Sequence, residues 1–384
     1  MRRNRPDDRL IEWAMRRALH LARRGEGWTS PNPMVGAVLL RDGRVIGEGY
    51  HHAAGMAHAE IEALEDARRR GEDPAGATMV VNLEPCCHHG KTPPCTDALL
   101  AAGVGRVYVA HKDINPLVCG NGIRCLTEKG IEVHIGVLAK EAAKLNEAFC
   151  KWMLVRRPFV VLKAASTLDG KIATASGHSQ WVSSDAARRY AHRLRRRYDA
   201  IMVGVGTVIC DDPQLTCRLP YQVECRQPLR IILDSCLRTP PTAKVVSGAL
   251  PGETLIATTD RADPKAMNLL KEAGVEVEIF PAAPDGKVDL AALTDTLGKR
   301  DITSVLVEGG GRVLAACLAA GIADKLSLVL APKIVGGEGA ITSFHGELAR
   351  TMDEARQVHD LTVRRLGHDW LMEGYFKKPT CLPD

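Results

Sequence analysis

Aromatic side chains are scarce in this chain: Phe, Tyr and Trp together make up 4% of its 384 residues. Proteins that hold single-stranded nucleic acid or a flipped base stack it on aromatic rings within a cationic channel, so a nucleic-acid role has little to build on. Charge of one sign is scarce too. The formal net charge is +5, divided as +2 for residues 1–155 and +3 for the remainder. Neither half carries the concentrated cationic footprint that nucleic-acid binding requires, whereas a mild excess suits a small phosphorylated partner. No window approaches the roughly 20 apolar residues of a membrane span, and the opening residues are charged throughout, unlike the apolar heart of a signal peptide. A cytoplasmic location is therefore expected, with neither a membrane nor a nucleic acid as partner. The 12 cysteines do not form a disulfide scaffold. Only Cys86, Cys87 and Cys95 cluster, and in a reducing compartment such a cluster points to metal binding or catalysis.

What is present is the composition of a globular protein, 45% hydrophobic and 25% charged, at a length that favours two domains. Residues 8–24 place Leu10, Ile11, Ala14, Ala18, Leu19, Leu21 and Ala22 at helical spacing between arginines, which predicts an amphipathic first helix. MVGAVLL and RVIGEGY flank Asp42-Gly43, a pair suited to a tight hairpin turn. A helix from about Ala59 to Arg70, the strand TMVVNLE, a short helix from about Thr96 to Ala102 and the strand RVYVA follow. After residues 146–157 the alternation restarts with FVVLKAAS and continues through AIMVGVGTV, LRIILD, ETLIATT, SVLVEGGG, KLSLVLAPKIVGG and WLMEGYF, read as apolar, β-rich segments. Two α/β domains are expected, over residues 1–150 and 157–378.

The chemistry concentrates in the first half. Catalytic zinc takes three protein ligands and keeps one open position, where water becomes a nucleophile at neutral pH. His58 opens a helix, Cys86 follows a strand, and Cys95 starts the next helix after Pro93-Pro94, where the positive end of the helix dipole favours a thiolate. Cys87, His88 and His89 lie between the two cysteines as competing donors, and the placement at a helix start favours Cys95 over them. Glu60 is the candidate proton carrier. Positions two apart diverge on a helix at about 100° per residue, so His58 and Glu60 can face one point only from its first turn. A closed, structural zinc site would need a fourth ligand and leaves Glu60 without a purpose.

The second half is less explicit. Val203-Gly204-Val205-Gly206-Thr207-Val208 begins like a dinucleotide fingerprint, but Ile209 stands at the third glycine position, so a plain strand-to-helix turn is the better reading. Gly309-Gly310-Gly311 follows an apolar strand and precedes a helical stretch, which predicts a phosphate site at a helix N-terminus. The run Arg193, Arg195, Arg196 and Arg197 reads first as a solvated helix face, with a phosphate contact as the alternative.

Taken together, Pro31–Val38, His58–Glu60 and Glu84–Cys95, followed by Lys163–Lys171, Ser179–Trp181, Asp211–Thr216 and Val307–Gly311, closely resemble the bifunctional deaminase-reductase family of bacterial riboflavin biosynthesis, from about residue 10 to 376. The resemblance implies a cytidine-deaminase-like three-layer domain and a dihydrofolate-reductase-like domain. One zinc ion per chain would be held by His58, Cys86 and Cys95, with Glu60 catalytic. Asn32, His51, His88, Lys91, Asp113 and Asn115 would line the pyrimidine or phosphate side of the deaminase pocket. The cofactor NADPH would meet Ala165, Trp181, Thr207, Asp211, Gly310, Gly311 and Arg312. The reductase substrate would meet Lys163, Ser179, Ser183, Arg195, Leu215, Arg218 and Glu308. A homo-oligomer is expected as well. Ile114, Cys87 and Ser183 stand where proline, serine and threonine are common in the family; these departures bear on loop shape and affinity and remove no required group. Two rivals remain: a nucleic-acid base deaminase with an accessory domain, and a structural zinc module attached to a lone reductase.

Overall fold

The computed structural model describes residues 6–89, 93–115, 118–219 and 224–378. The chain divides into two compact units at Val155 and Arg156.

The first unit runs α1 (Pro6–Ala22), β1 (Gly36–Arg41), β2 (Arg44–Tyr50), α2 (Ala59–Arg69), β3 (Thr78–Val81), α3 (Cys95–Ala101), β4 (Arg106–Val109), α4 (Asn121–Glu128), β5 (Glu132–Ile135), α5 (Ala139–Leu145) and α6 (Glu147–Val155). Its sheet is ordered β2-β1-β3-β4-β5, antiparallel across the first three strands and parallel beyond. Strand alternation makes the layers. Ala37 and Leu39 of β1 turn to one face and pack with Ala59, Ala63 and Leu64 of α2. Val38 and Leu40 turn to the other and pack with Ala14, Met15 and Ala18 of α1. The predicted hairpin turn forms with Asp42 at φ 47° and Gly43 at φ 74°, the left-handed pair a two-residue turn demands.

Glycine decides how close the helices come. A Cβ on Gly49 of β2 would lie 2.4 Å from the Ala59 carbonyl oxygen and 2.5 Å from the Ala63 nitrogen, and one on Gly47 would lie 2.2 Å from the Ala63 carbonyl oxygen. The first turn of α2 therefore rests directly on strand backbone.

The second unit runs β6 (Phe159–Thr167), β7 (Lys171–Ala173), α7 (Asp185–Arg197), β8 (Ala200–Gly204), α8 (Val205–Asp211), β9 (Leu229–Leu233), β10 (Thr254–Thr258), α9 (Pro264–Glu272), β11 (Glu276–Ile279), α10 (Leu290–Lys299), β12 (Ser304–Val307), α11 (Gly311–Ala319), β13 (Lys325–Ala331), β14 (Ile341–Thr342), β15 (His359–Leu366) and β16 (Asp369–Tyr375). Nine strands form one sheet in the order β11-β10-β9-β8-β12-β6-β13-β16-β15. It is parallel from β11 to β13, with β16 and β15 added antiparallel at one edge. The central strands are apolar on both faces because both are covered: Met202 and Val307 pack with α10 and α11, while Ile201 and Val203 pack with α8 and α9.

The strand-to-helix turn read at Val203–Val208 forms inside the apolar segment AIMVGVGTV, where β8 ends at Gly204 and α8 begins at Val205. Hydrophobicity is unbroken because strand and helix bury into the same core, where Val203, Val205 and Val208 meet. Among the described residues no helix is long and apolar enough to cross a membrane.

Replacing Gly49 with Ala should lower the unfolding free energy by about 1–3 kcal/mol, the usual cost of overpacking against backbone that cannot yield. A urea titration of the purified protein measures this.

Candidate active sites

The donors of the first site come from two helix starts and one loop. His58 is the N-cap of α2, with extended backbone at φ −78° and ψ 162°. Cys95 is the first residue of α3 and is fully buried. Cys86 lies in the loop after β3, tied to α3 by a bond from the Thr96 amide to its carbonyl at 3.1 Å. The His58 Nδ1 lies 3.2 Å from the Cys95 Sγ and 3.5 Å from the Cys86 Sγ, and the Cys95 amide donates to the Cys86 Sγ at 3.4 Å. All three donor atoms lie within 4.8 Å of one another. Tetrahedral zinc, with bonds of about 2.0 Å to nitrogen and 2.3 Å to sulfur, needs donors roughly this far apart, so the set fits a zinc ion. Cys87, His88 and His89 stay outside the converging group.

The bond from Cys95, helped by His58, holds the Cys86 thiol down at about 4, while the same bond pushes the Cys95 thiol up.

Because His58 is a cap in extended backbone, the divergence of positions two apart on a regular helix does not apply, and Glu60 in the first turn faces the same donors. Glu60 is 2% exposed, and its Oε2 is buried without a partner. Burial, reinforced by the Cys86 charge, pushes its carboxyl up to about 7. A buried acid with an idle oxygen beside a metal-binding set has no packing purpose.

Around this centre, His51 donates through Nδ1 to the Ala57 carbonyl at 3.0 Å, which leaves Nε2 to accept from the Asn32 amide nitrogen at 3.1 Å. Burial lowers the His51 pKa, and the edge of its ring meets the His58 ring at 5.3 Å. His88 is half-buried with an unpartnered Nδ1. Burial raises Asp113 to about 6, and its carboxylate accepts from the Asn115 amide at 2.8 Å. Lys91 lies outside the described residues.

Sequence reasoning missed the residues that hold these loops. Asn82 accepts from the Gly36 amide and donates to the Met34 carbonyl, and Asn146 grips the Met34 amide and carbonyl together, so both fix the turn bearing Asn32. Buried Glu84 accepts from the amides of Asp113, Gly120 and Ile123 at 3.0–3.1 Å. Gly122 has no room for a side chain, since a Cβ would meet the Pro85 carbonyl oxygen at 2.1 Å. Asn82 and Glu84 are the polar end of an otherwise apolar strand, which is the signal that could have marked them.

In the second unit Arg195 of α7 turns inward and clasps Glu308, at the C-terminal end of β12, with bonds of 3.0 and 2.9 Å; Lys163 of β6 stands 3.8 Å from the same carboxylate. The solvated-face reading of the arginine run fails at this residue, whose side chain is 15% exposed. Arg195 also donates to the Thr216 carbonyl, and Arg218 donates to Gln214 and to the Thr216 hydroxyl. Leu215 between them is buried in a left-handed conformation at φ 55°. Burial opposes ionisation of Glu308, but Arg195 and then Lys163 overcome it and hold the carboxyl at about 2. His192 is pushed down to about 4 by burial, Arg195 and Arg218.

At the glycine turn, Gly310 caps α11, and a Cβ there would meet only the Thr207 hydroxyl at 3.9 Å. Gly309 and Gly311 are small for another reason: Cβ atoms there would meet Val313 at 2.8 Å and the Thr342 carbonyl oxygen at 2.3 Å. Arg312 is exposed in the first turn of α11, and Asp211 is exposed at the end of α8. Exposed Trp181 has the Arg188 guanidinium over its ring at 4.5 Å and gives its carbonyl to Lys333. The Ser183 carbonyl accepts from Arg188, Ser179 is half-buried, and Ala165 lies two positions beyond Lys163 on β6.

Residues 8–111 match the family model for the cytidine and deoxycytidylate deaminase zinc-binding region, and residues 158–372 match that for the RibD C-terminal domain. The class is thus a two-unit enzyme, a deaminase of the zinc type joined to a reductase. The riboflavin biosynthesis protein RibD of Escherichia coli is 44% identical over 371 residues, covering 93% of this chain and 97% of that protein, and the one from Actinobacillus pleuropneumoniae is 42% identical over 359 residues, covering 94% and 93%. Among solved structures, the diaminohydroxyphosphoribosylaminopyrimidine deaminase/5-amino-6-(5-phosphoribosylamino)uracil reductase of Thermotoga maritima superposes with a TM-score of 0.83 at 38% identity, and RibD of Acinetobacter baumannii with 0.84 at 38%, each over 96% of this chain and 99% of that one. The chain belongs to the family of bifunctional deaminase-reductases of riboflavin biosynthesis.

Two outcomes test the local readings. Replacing Glu84 with Ala strands three amides and should cost about 3 kcal/mol, with limited proteolysis newly cutting within residues 113–120. Glu308 has a folded pKa near 2 against an ordinary 4.5. Its contribution is therefore complete above the ordinary value and is lost as pH falls from about 4.5 through 2, amounting to roughly 3 kcal/mol. Glu308→Gln should flatten that limb of a stability profile measured by urea unfolding.

Proposed function

We propose that the first unit removes the 2-amino group of 2,5-diamino-6-(5-phosphoribosylamino)pyrimidin-4(3H)-one by hydrolysis, and that the second unit then reduces the ribosyl side chain of the product to ribityl at the expense of NADPH. The observation that carries the first half is Glu60, buried with an unpartnered oxygen beside the converging His58, Cys86 and Cys95. A zinc ion on those donors supplies Lewis acidity that makes water nucleophilic at neutral pH. Glu60 takes a proton from the attacking water, passes it to the ring nitrogen beside the amino-bearing carbon, and returns a proton to the departing ammonia. Asn32, held by His51, and Asp113 offer a donor and acceptors to the pyrimidine edge, Asn115 and His88 are assigned to the same substrate, and Lys91 is assigned to its phosphate by residue type.

In the second unit NADPH supplies the hydride. The amides at Gly310 and Gly311, with Thr207 and Arg312, suit its phosphates at a helix N-terminus. Ala165, Trp181 and Asp211 complete that side. Ser179, Ser183, Leu215 and Arg218 face the substrate, with Arg218 suited to a phosphate. Glu308 is kept ionised by Arg195 and Lys163, so it accepts hydrogen bonds from a sugar and does not donate a proton. Reduced thiols at the zinc set accord with a cytoplasmic setting.

Purified protein given the diaminopyrimidine phosphate should release ammonia without NADPH and oxidise NADPH only after deamination. Glu60→Gln should retain zinc by plasma emission yet lose roughly a thousandfold in ammonia release, within the span that general acid-base catalysis supplies. Near-normal turnover in that variant rejects the assignment of Glu60 and leaves the zinc set structural.

A further inference from the structure

The segment between α8 and β9 carries two thiols that the proposed chemistry does not use. Cys217 is buried, its thiol donates to the His192 carbonyl of α7 at 3.4 Å, and it also hydrogen-bonds to the Cys225 thiol. The Gln227 side chain ties the chain back at this point, its Oε1 accepting from the Cys217 amide at 2.8 Å and its Nε2 donating to the Cys217 carbonyl at 3.2 Å. Cys225 is only half-buried, so a small solute can reach it. The residue before Cys217 gives its carbonyl to Arg195, and the residue after it, Arg218, donates its amide to the His192 ring at 3.2 Å.

We infer that Cys217 and Cys225 form a reversible dithiol-disulfide site, oxidised by small-molecule disulfides, whose closure displaces Thr216 and Arg218 and weakens substrate binding in the reductase unit alone. The exchange balances. The Cys225 thiolate attacks one sulfur of the small disulfide and expels a thiolate; the Cys217 sulfur then attacks the mixed disulfide and expels the second. Two protein thiols are oxidised, one small disulfide is reduced to two thiols, and the cysteine protons pass to the leaving groups. Cys225 is half-buried and Cys217 buried, so the reagent reaches Cys225 first and Cys217 resolves. An S–S bond of about 2.05 Å is much shorter than a thiol-thiol hydrogen bond. Forming it draws Cys217 off the His192 carbonyl and takes its two neighbours with it.

The consequence for activity rests on reading Arg218, Leu215 and Arg195 as substrate residues; turnover of the reduced enzyme tests that reading separately from the bond itself. Zinc-loaded full-length protein is equilibrated in buffers of reduced and oxidised glutathione, alkylated and mapped by peptide mass spectrometry, while both activities are followed. The expected result is an intramolecular Cys217–Cys225 linkage, a roughly tenfold rise in the reductase KM for its phosphorylated substrate, equivalent to one lost contact of moderate strength, and unchanged ammonia release. Dithiothreitol should reverse the rise, and Cys225→Ser, active when reduced, should not show it. Full alkylation of both cysteines in the oxidising buffer overturns the site. A linkage that leaves KM unchanged, or a KM rise that persists in Cys225→Ser, overturns its effect on the reductase.

Discussion

The first turn of α2 and the first residue of α3 meet at one point, and the chemistry of the first unit depends on that meeting. A helix start offers unpaired amides and a partial positive charge, which lowers the cost of burying a thiolate. Cys95 occupies such a start, and Cys86 receives one of its amides. His58 caps the neighbouring helix in extended backbone, which lets Glu60, two residues on, aim at the same donors. The closeness of α2 to β2 is set by Gly47 and Gly49, whose hydrogens leave room for helix backbone. Two glycines on a strand thereby decide where a histidine and a glutamate stand.

The second unit is organised around a different interaction, the clasp of Arg195 on Glu308 with Lys163 beside them. A buried carboxylate is tolerated only where cations and hydrogen bonds replace its water. Here they come from β6 and α7, so the same contact that keeps Glu308 charged also fixes the helix that carries Arg195. The loop bearing Leu215 and Arg218 is bonded to α7 through Arg195 and His192. Lys163, Arg195, Arg218 and Glu308, far apart in sequence, thus share one rigid frame, which is the usual condition for orienting a reactant.

In both units a polar group at the end of an apolar strand does the anchoring. Glu84 after β3 gathers three amides of the 113–123 segment, and Glu308 after β12 gathers two cations. Each strand buries its hydrophobic residues in the layered core and delivers a carboxylate at its exit, where parallel strands of α/β units present their functional groups.

Several things were determined by the sequence alone. Period-2 and period-3.6 hydrophobicity set the order of strands and helices, Asp42-Gly43 specified the hairpin, and the spacing of His58, Cys86 and Cys95 with Glu60 marked a candidate zinc set, because these are local signals carried by residue type and interval. Other things only the tertiary structure decided. The inward turn of Arg195 onto Glu308 and the loop anchors Glu84, Asn82 and Asn146 arise from contacts across 29 or more positions, and the division of Gly309 and Gly311 from Gly310 is set by what packs against each backbone. Residue type can say that a side chain is able to bond, but its partner is chosen by what the packed layers place opposite it.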